Sequence, residues 1–153
     1  MTDFSRTRDL FHLPDGVIYL DGNSLGPLPK TALARATRTM ADEWGEMLIG
    51  GWNKAQWMAM PGQIGNRIAR LIGAEEGSVV IGDTLSIKVY QALASALDLR
   101  PDRRIVLSDS GNFPTDLYMI DGLEKQGLAE RRLAPREQLV EALDDNVALL
   151  LLT

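Results

Sequence analysis

The chain has no cysteine and a single histidine, His12, among its 153 residues. Without thiols there is no disulfide framework and no thiolate metal site, and the composition fits a reducing cytosol. An isolated histidine has no partners for a triad or a metal cluster, so His12 reads as a surface residue and no metal is expected. Basic blocks are missing too. The formal charge is −5 with both signs scattered along the chain, which gives little support to a nucleic-acid surface or a polybasic membrane patch. No apolar run approaches the length of a membrane span, and the opening "MTDFSRTRDLFHL" lacks the apolar core of a signal peptide. A cytoplasmic protein with a small-molecule partner is the expectation. There is no lysine followed by Ser or Thr after spaced glycines, and no GxGxxG, so nucleoside triphosphates and NAD are poor candidates.

What remains is a chain of one-domain length with 45% hydrophobic residues, enough for a sizeable core. "VIYL" (Val17 to Leu20) has strand composition and runs into the turn-rich "DGNSLGPLP". Pro29 then suits a first helical turn, and Ala32, Leu33, Ala36, Met40 and Trp44 recur at helical spacing up to Gly45, which predicts a helix with one buried face. Asp42, Glu43 and Glu46 read as its solvated face, and Trp44 as core or subunit interface. "IGGWNKAQWMAMPG" reads as irregular, with Trp52 and Trp57 close together and candidates to line a site. Ile64, Ile68, Leu71 and Ile72 mark a second amphipathic helix from about Gln63, closed by Gly73.

Beyond that helix, strand and helix patterns alternate. "SVVIG", a helix from about Leu85, "RRIVLSD", a helix from about Thr115, a weak strand in "AERRLA", a helix from Pro135 and finally "NVALLLLT" predict an α/β layer with a mainly parallel sheet. Asp144 and Asp145 look like turn residues, and "ERR" (Glu130 to Arg132) like an ordinary charged segment. "VALLLLT" has the composition of a strand buried on both sides with nothing after it to cover it, so the chain is expected to be the first part of a longer protein.

Ligands of open α/β sheets gather beyond the carboxyl ends of strands, against helix N-termini. "GDTLS" takes that position. Free N–H groups at Leu85 and Ser86, with the Ser86 hydroxyl, suit a phosphate or carboxylate; an ordinary N-cap by Asp83 or Thr84 explains the same residues. The next junction, "SDSGNFPTDLY", places Phe113, Pro114, Thr115 and Asp116 directly past a strand end. Phe113 suits stacking on a flat ring, or else packs on the core while Thr115 or Asp116 caps the helix. Taken together, the two junctions suit the two ends of a flat phosphorylated cofactor such as pyridoxal phosphate.

At this point "YLDGNSLGPLP", "GGWN", "GDTLSIKVYQAL" and "SDSGNFPTDLY", in this order and covering nearly the whole chain, resemble the bacterial kynureninases. The resemblance implies a fold-type-I, pyridoxal-phosphate-dependent hydrolase of the class V aminotransferase-like group, acting as a homodimer. Its reaction would convert L-kynurenine, and its 3-hydroxy form, to an anthranilate and L-alanine in tryptophan catabolism. Residues 1–60 would belong to the small domain and substrate side, and residues 61–153 would begin the cofactor-binding large domain. Position by position, the resemblance puts Leu85 and Ser86 at the cofactor phosphate, and Phe113, Pro114, Thr115 and Asp116 around the pyridine ring. Thr153 matches a cofactor-contacting threonine, and Asn23, Ser24 and Trp52 match positions on the substrate side. Lys88 departs from the asparagine of some relatives and is expected to be an exposed helix lysine.

The implied chemistry needs a Schiff-base lysine, and none of Lys30, Lys54, Lys88 or Lys125 lies at a strand end in the sequence reading. That lysine is expected beyond Thr153, so these residues carry half a cofactor site and are expected to be inactive alone. Another class V aminotransferase-like or cysteine desulfurase-like enzyme would share the phosphate turn but lack "YLDGNSLG" and "FPTD". A non-enzymatic subunit or a fragment needing a partner chain is the third reading.

Overall fold

The computed structural model describes residues 4–153, which divide into two compact units, residues 4–80 and 81–153. In the first, the helix α1 (Ser5–Arg8) leads into a short antiparallel ribbon, β1 (Phe11–His12) paired with β2 (Leu28–Pro29), and the Lys30 N–H donates to the Leu10 carbonyl at 2.9 Å. Pro29 is the N-cap of α2 (Lys30–Arg38) rather than a first-turn residue. The helix then widens into a π-helical segment, Thr39–Glu46, and a 3₁₀ turn, Leu48–Gly50, begins at Leu48 with φ of 48°. The segment expected to be irregular, from Ile49 to Gly62, holds the last two residues of this turn, the short helix α3 (Gly51–Lys54) and the start of α4 (Met60–Ile72).

Gly73 ends α4 as predicted. Its φ of 72° is left-handed, and its N–H and that of Ala74 both reach the Ala69 carbonyl, which satisfies the end of the helix with a residue that tolerates positive φ.

Three expectations in this unit change. "VIYL" forms no strand: Ile18 and Leu20 are exposed, and the Tyr19 hydroxyl closes a loop by donating to the Leu25 carbonyl. The predicted apolar face of α2 is not buried, with Leu33, Met40 and Trp44 all exposed. On α4 the buried residues are Gly65 and Ala69, whereas Ile64, Leu71 and Ile72 are exposed. Periodicity identified the helices correctly, but it specifies only which face is apolar, and burial needs a facing partner.

The second unit is an α/β layer. Helix α5 (Leu85–Asp98) precedes β3 (Ile105–Asp109), α6 (Pro114–Lys125) joins β3 to β4 (Glu130–Ala134), and β5 (Val147–Leu151) completes a parallel sheet of order β4-β3-β5. Alternation along β3 explains its central place. Val106 points to a core formed with Leu93, Leu97, Ile120, Leu123 and Ala129, while Leu107 points to the opposite cluster with Ala134, Leu139 and Val147. Ile120 and Leu123 are fully buried, and each such side chain contributes about 1.5–3 kcal/mol through removal of its apolar surface from water. The mixed helix and parallel-sheet class is as predicted. Two elements differ: "SVVIG" has no strand partner among the described residues, and after Pro135 there is a 3₁₀ turn, Arg136–Gln138, in place of a helix.

Candidate functional site

The second unit brings two helix N-termini to one end of its sheet. Both α5 and α6 run opposite to the strands they adjoin, and so both begin at the carboxyl ends. At α5 the N-cap Thr84 makes no side-chain cap, and the first helical backbone bond runs from the Lys88 N–H to the Thr84 carbonyl at 3.2 Å. The N–H groups of Leu85 and Ser86 are therefore left for a ligand or solvent, in the field of a fourteen-residue helix. The capping explanation of "GDTLS" loses its hydrogen bond. Ser86 is half-buried beside them, and Leu85 is exposed, which leaves its backbone as the useful group. Lys88 is half-buried rather than exposed: its chain folds over Gly82, where a Cβ would lie 1.7 Å from Lys88 Cε, and its ammonium donates to Gln91 Oε1 at 2.9 Å.

At α6 the N-cap is Phe113, whose side chain is 60% exposed. It does not pack on the core, and its ring is available to another flat group. Pro114 takes the first helical position, where its missing N–H costs nothing, followed by half-buried Thr115. Asp116 is 5% exposed. Its Oδ2 accepts the Thr153 hydroxyl at 3.0 Å, and its Oδ1 is buried with no hydrogen-bond partner among the described residues. Such an orphaned oxygen costs about 1–3 kcal/mol, a cost that a donor from a bound molecule would remove. Phe113, Pro114, Thr115, Asp116 and Thr153 are thus brought together at one strand end; the first turn of α5 opens at the same end of the sheet.

Polar residues that the sequence reading did not single out, buried Ser108, Asp109 and Asn112 and exposed Arg136, hold this end in place. Ser108 Oγ donates to the Leu151 carbonyl and accepts from Asn112 Nδ2, both at 2.9 Å, and Asn112 Oδ1 accepts the Phe113 N–H at 2.6 Å. Arg136 Nε donates to Asp109 Oδ2 at 3.0 Å, and its Nη2 reaches the Thr153 carbonyl at 3.3 Å, tying the ends of all three strands. The Gly111 N–H, 2.8 Å from Asp109 Oδ1, holds that carboxyl below its usual range; burial opposes the shift and Arg136 adds to it. The only sequence signal for the Ser108 pairing was a serine and an asparagine four residues apart across the "SDSGN" turn.

In the first unit Asn23 and Ser24 lie on an exposed turn in which the Ser24 N–H donates to the Asp21 carbonyl at 3.2 Å. No hydrogen bond joins that turn to Trp52 among the described residues. Trp52 is 46% exposed and meets Trp57 edge to face, with ring centroids 6.0 Å apart at 76°. Glu43, expected on a solvated face, instead has a side chain only 12% exposed, bonded to Trp57 and Arg35.

Curated relatives named kynureninase, from Pseudomonas fluorescens, Burkholderia pseudomallei strain K96243 and Burkholderia mallei strain ATCC 23344, are each 46% identical to this chain over 95% of its length. The chain is similar to the kynureninases. It spans 37% of the length of each of these relatives, consistent with an N-terminal portion of such a protein. No family model matches the chain. Among the described residues there is no helix long and apolar enough to cross a membrane, and no cluster of three metal-ligating side chains.

Proposed function

We propose that these residues supply the phosphate and ring contacts of a pyridoxal phosphate site in a kynureninase, an enzyme that hydrolyses L-kynurenine to anthranilate and L-alanine in tryptophan catabolism. The observation that carries the reading is Asp116, a buried carboxylate with one unpartnered oxygen beside an exposed aromatic ring, at the strand end where such a cofactor would lie. The residues fit the group. The N–H groups of Leu85 and Ser86 and the Ser86 hydroxyl would hold the phosphate, and the Phe113 ring would cover one face of the pyridine. Pro114 and Thr115 set the start of α6, Asp116 Oδ1 would accept one hydrogen bond from the bound molecule, and Thr153 holds the other Asp116 oxygen.

When bound, pyridoxal phosphate supplies an electron sink for the carbanion formed at the substrate Cα. The chain's own share is to bind and orient. Asn23, Ser24 and Trp52, with the rest of residues 1–60, would serve the substrate side and small domain, Trp52 offering an aromatic face to the aryl ketone; residues 61–153 would begin the fold-type-I large domain. All four lysines lie on helices, Lys30 on α2, Lys54 on α3, Lys88 on α5 and Lys125 on α6, and in this reading the lysine that would bond the cofactor covalently would come from sequence outside these residues. The chain alone is then inactive, and the complete protein a cytoplasmic homodimer. The exposed Leu33, Met40 and Trp44 on one helical run support association of this unit with further protein surface.

The test is to load the full-length protein with pyridoxal phosphate and supply L-kynurenine and its 3-hydroxy form. Equimolar anthranilate, or 3-hydroxyanthranilate, and L-alanine are expected. No cleavage of either, with L-alanine formed from L-cysteine and its sulfur released as sulfide by an added dithiol reductant, would reassign the protein to desulfurase-type chemistry. Failure to bind pyridoxal phosphate would favour a non-enzymatic subunit.

A further inference from the structure

We infer that Trp57 orients Trp52 for an aromatic ligand, and that Glu43 and Arg35 hold Trp57 for this purpose. The inference rests on the proposed placement of Trp52 on the substrate side and adds the positioning residues behind it. The Trp57 indole N–H donates to Glu43 Oε2 at 2.8 Å, and the second carboxylate oxygen of Glu43 takes Arg35 Nη1 at 2.7 Å. Arg35 is itself fixed by a hydrogen bond to the Thr39 hydroxyl one turn later. Glu43 sits in the π-helical segment, a rare geometry that recurs where a helix must aim a particular side chain.

The far side of the same indole lies against Gly51. A Cβ there would come 2.7 Å from Trp57 Cη2 and 2.9 Å from Cζ2, so the ring packs against bare backbone, and Gly51 is buried. The ring is therefore held at its nitrogen by a carboxylate and pressed at its benzenoid end against the residue just before Trp52. Trp52 meets this fixed ring edge to face, an arrangement worth about 0.5–1.5 kcal/mol beyond simple burial. Trp52 itself remains 46% exposed, leaving surface for a planar aryl group to stack upon. The ligand class is an aryl ketone or aryl amine of the size of kynurenine or anthranilate. Glu43 and Gly51 thus fix one ring from two sides, and Trp52 packs against that ring.

The experiment uses the full-length protein and four variants, Glu43→Ala, Glu43→Gln, Trp52→Phe and, in reserve, Arg35→Met. Near-ultraviolet circular dichroism reads the tryptophan environments without activity, the Trp52–Trp57 pair being the part of the signal that Trp52→Phe removes, and steady-state kinetics with L-kynurenine reports binding. Glu43→Ala is expected to diminish the tryptophan dichroism and to raise KM at least threefold, with kcat falling by a smaller factor. Glu43→Gln, which keeps an acceptor for the indole N–H, is expected to recover most of both. Unchanged dichroism in Glu43→Ala overturns the inference, as does altered dichroism with unchanged KM while Trp52→Phe does raise KM. If Trp52→Phe leaves KM unmoved, the substrate-side assignment of Trp52 is what has failed, and dichroism still decides whether Glu43 holds the ring pair. Should Glu43→Ala not fold, loss of the dichroism in folded Arg35→Met serves as the same test.

Discussion

Substituting Ser108 by Ala tests how the carboxyl end of the sheet is held. Ser108 is fully buried at the centre of the unit, gives its hydroxyl proton to the Leu151 carbonyl and accepts from Asn112 Nδ2. Alanine fills nearly the same space, so no cavity opens, and the loss is confined to two hydrogen bonds. The Leu151 carbonyl belongs to a half-buried residue of an edge strand, where water can replace its donor at small cost. Asn112 is buried, and its amide has no such recourse. An orphaned buried donor costs about 1–3 kcal/mol, which corresponds to about a 5- to 150-fold change in a local opening equilibrium. Because Asn112 Oδ1 also receives the Phe113 N–H, a displaced Asn112 should release the start of α6. Hydrogen exchange of the 108–117 segment in the full-length protein should therefore accelerate by that factor, while the α5 amides from Val89 onward change little. Pyridoxal phosphate should bind more weakly in the same variant. Exchange at 110–117 within about twofold of wild type would refute the view that this pair supports Phe113, because the orphaned amide is the smallest cost the argument allows.

Ser86→Ala should weaken pyridoxal phosphate binding by about 10-fold or more, the value of a hydrogen bond to a charged group of about 1.5–3 kcal/mol, with little change in melting temperature; equal affinity by cofactor titration would remove Ser86 from the site. Gly65→Ala should destabilise the first unit by about 1–3 kcal/mol, since the added Cβ would lie 1.9 Å from the Val79 carbonyl oxygen, a backbone atom that cannot swing aside; an unchanged denaturation midpoint would refute this. Asp109 and Asp144 both have carboxyl pKa values lowered in the folded state, by the Gly111 and Asn146 N–H groups first and by Arg136 and Arg132 as well. Their stabilising contribution is thus complete above the unfolded value of about 4 and is lost as pH falls through the folded one. The melting temperatures of wild type and Asp109→Asn should converge below about pH 4, and a gap independent of pH would exclude the carboxylate as its source.

Legibility in the sequence follows the range of the interaction that decides each feature. Helices α4, α5 and α6 were readable because a 3.6-residue period and end signals such as Gly73 are local, and β3, β4 and β5 because their patterns fall beside partners in the same unit. "VIYL" and "SVVIG" have equally good strand composition, but a strand exists only when another backbone pairs with it, and composition does not name that partner. The same limit applies to α2, whose apolar period is genuine although Leu33 and Met40 remain exposed. Glu43 shows the error most clearly: its neighbours Asp42 and Glu46 are exposed, so local pattern places it with them, while the bond that draws it inward comes from an indole fourteen residues away. Within the candidate site the division is consistent with this. Ser86, Phe113 and Trp52, the proposed ligand contacts, could be nominated from sequence because each sits near a strand or helix end in a chemically distinctive motif. Ser108, Asn112, Asp109 and Arg136 carry no such mark, because their chemistry is directed at other parts of the same chain. The residues that would touch a ligand are therefore the easier half to read, and the buried polar bonds behind them are where substitutions will most sharply separate a built site from a coincidence of turns.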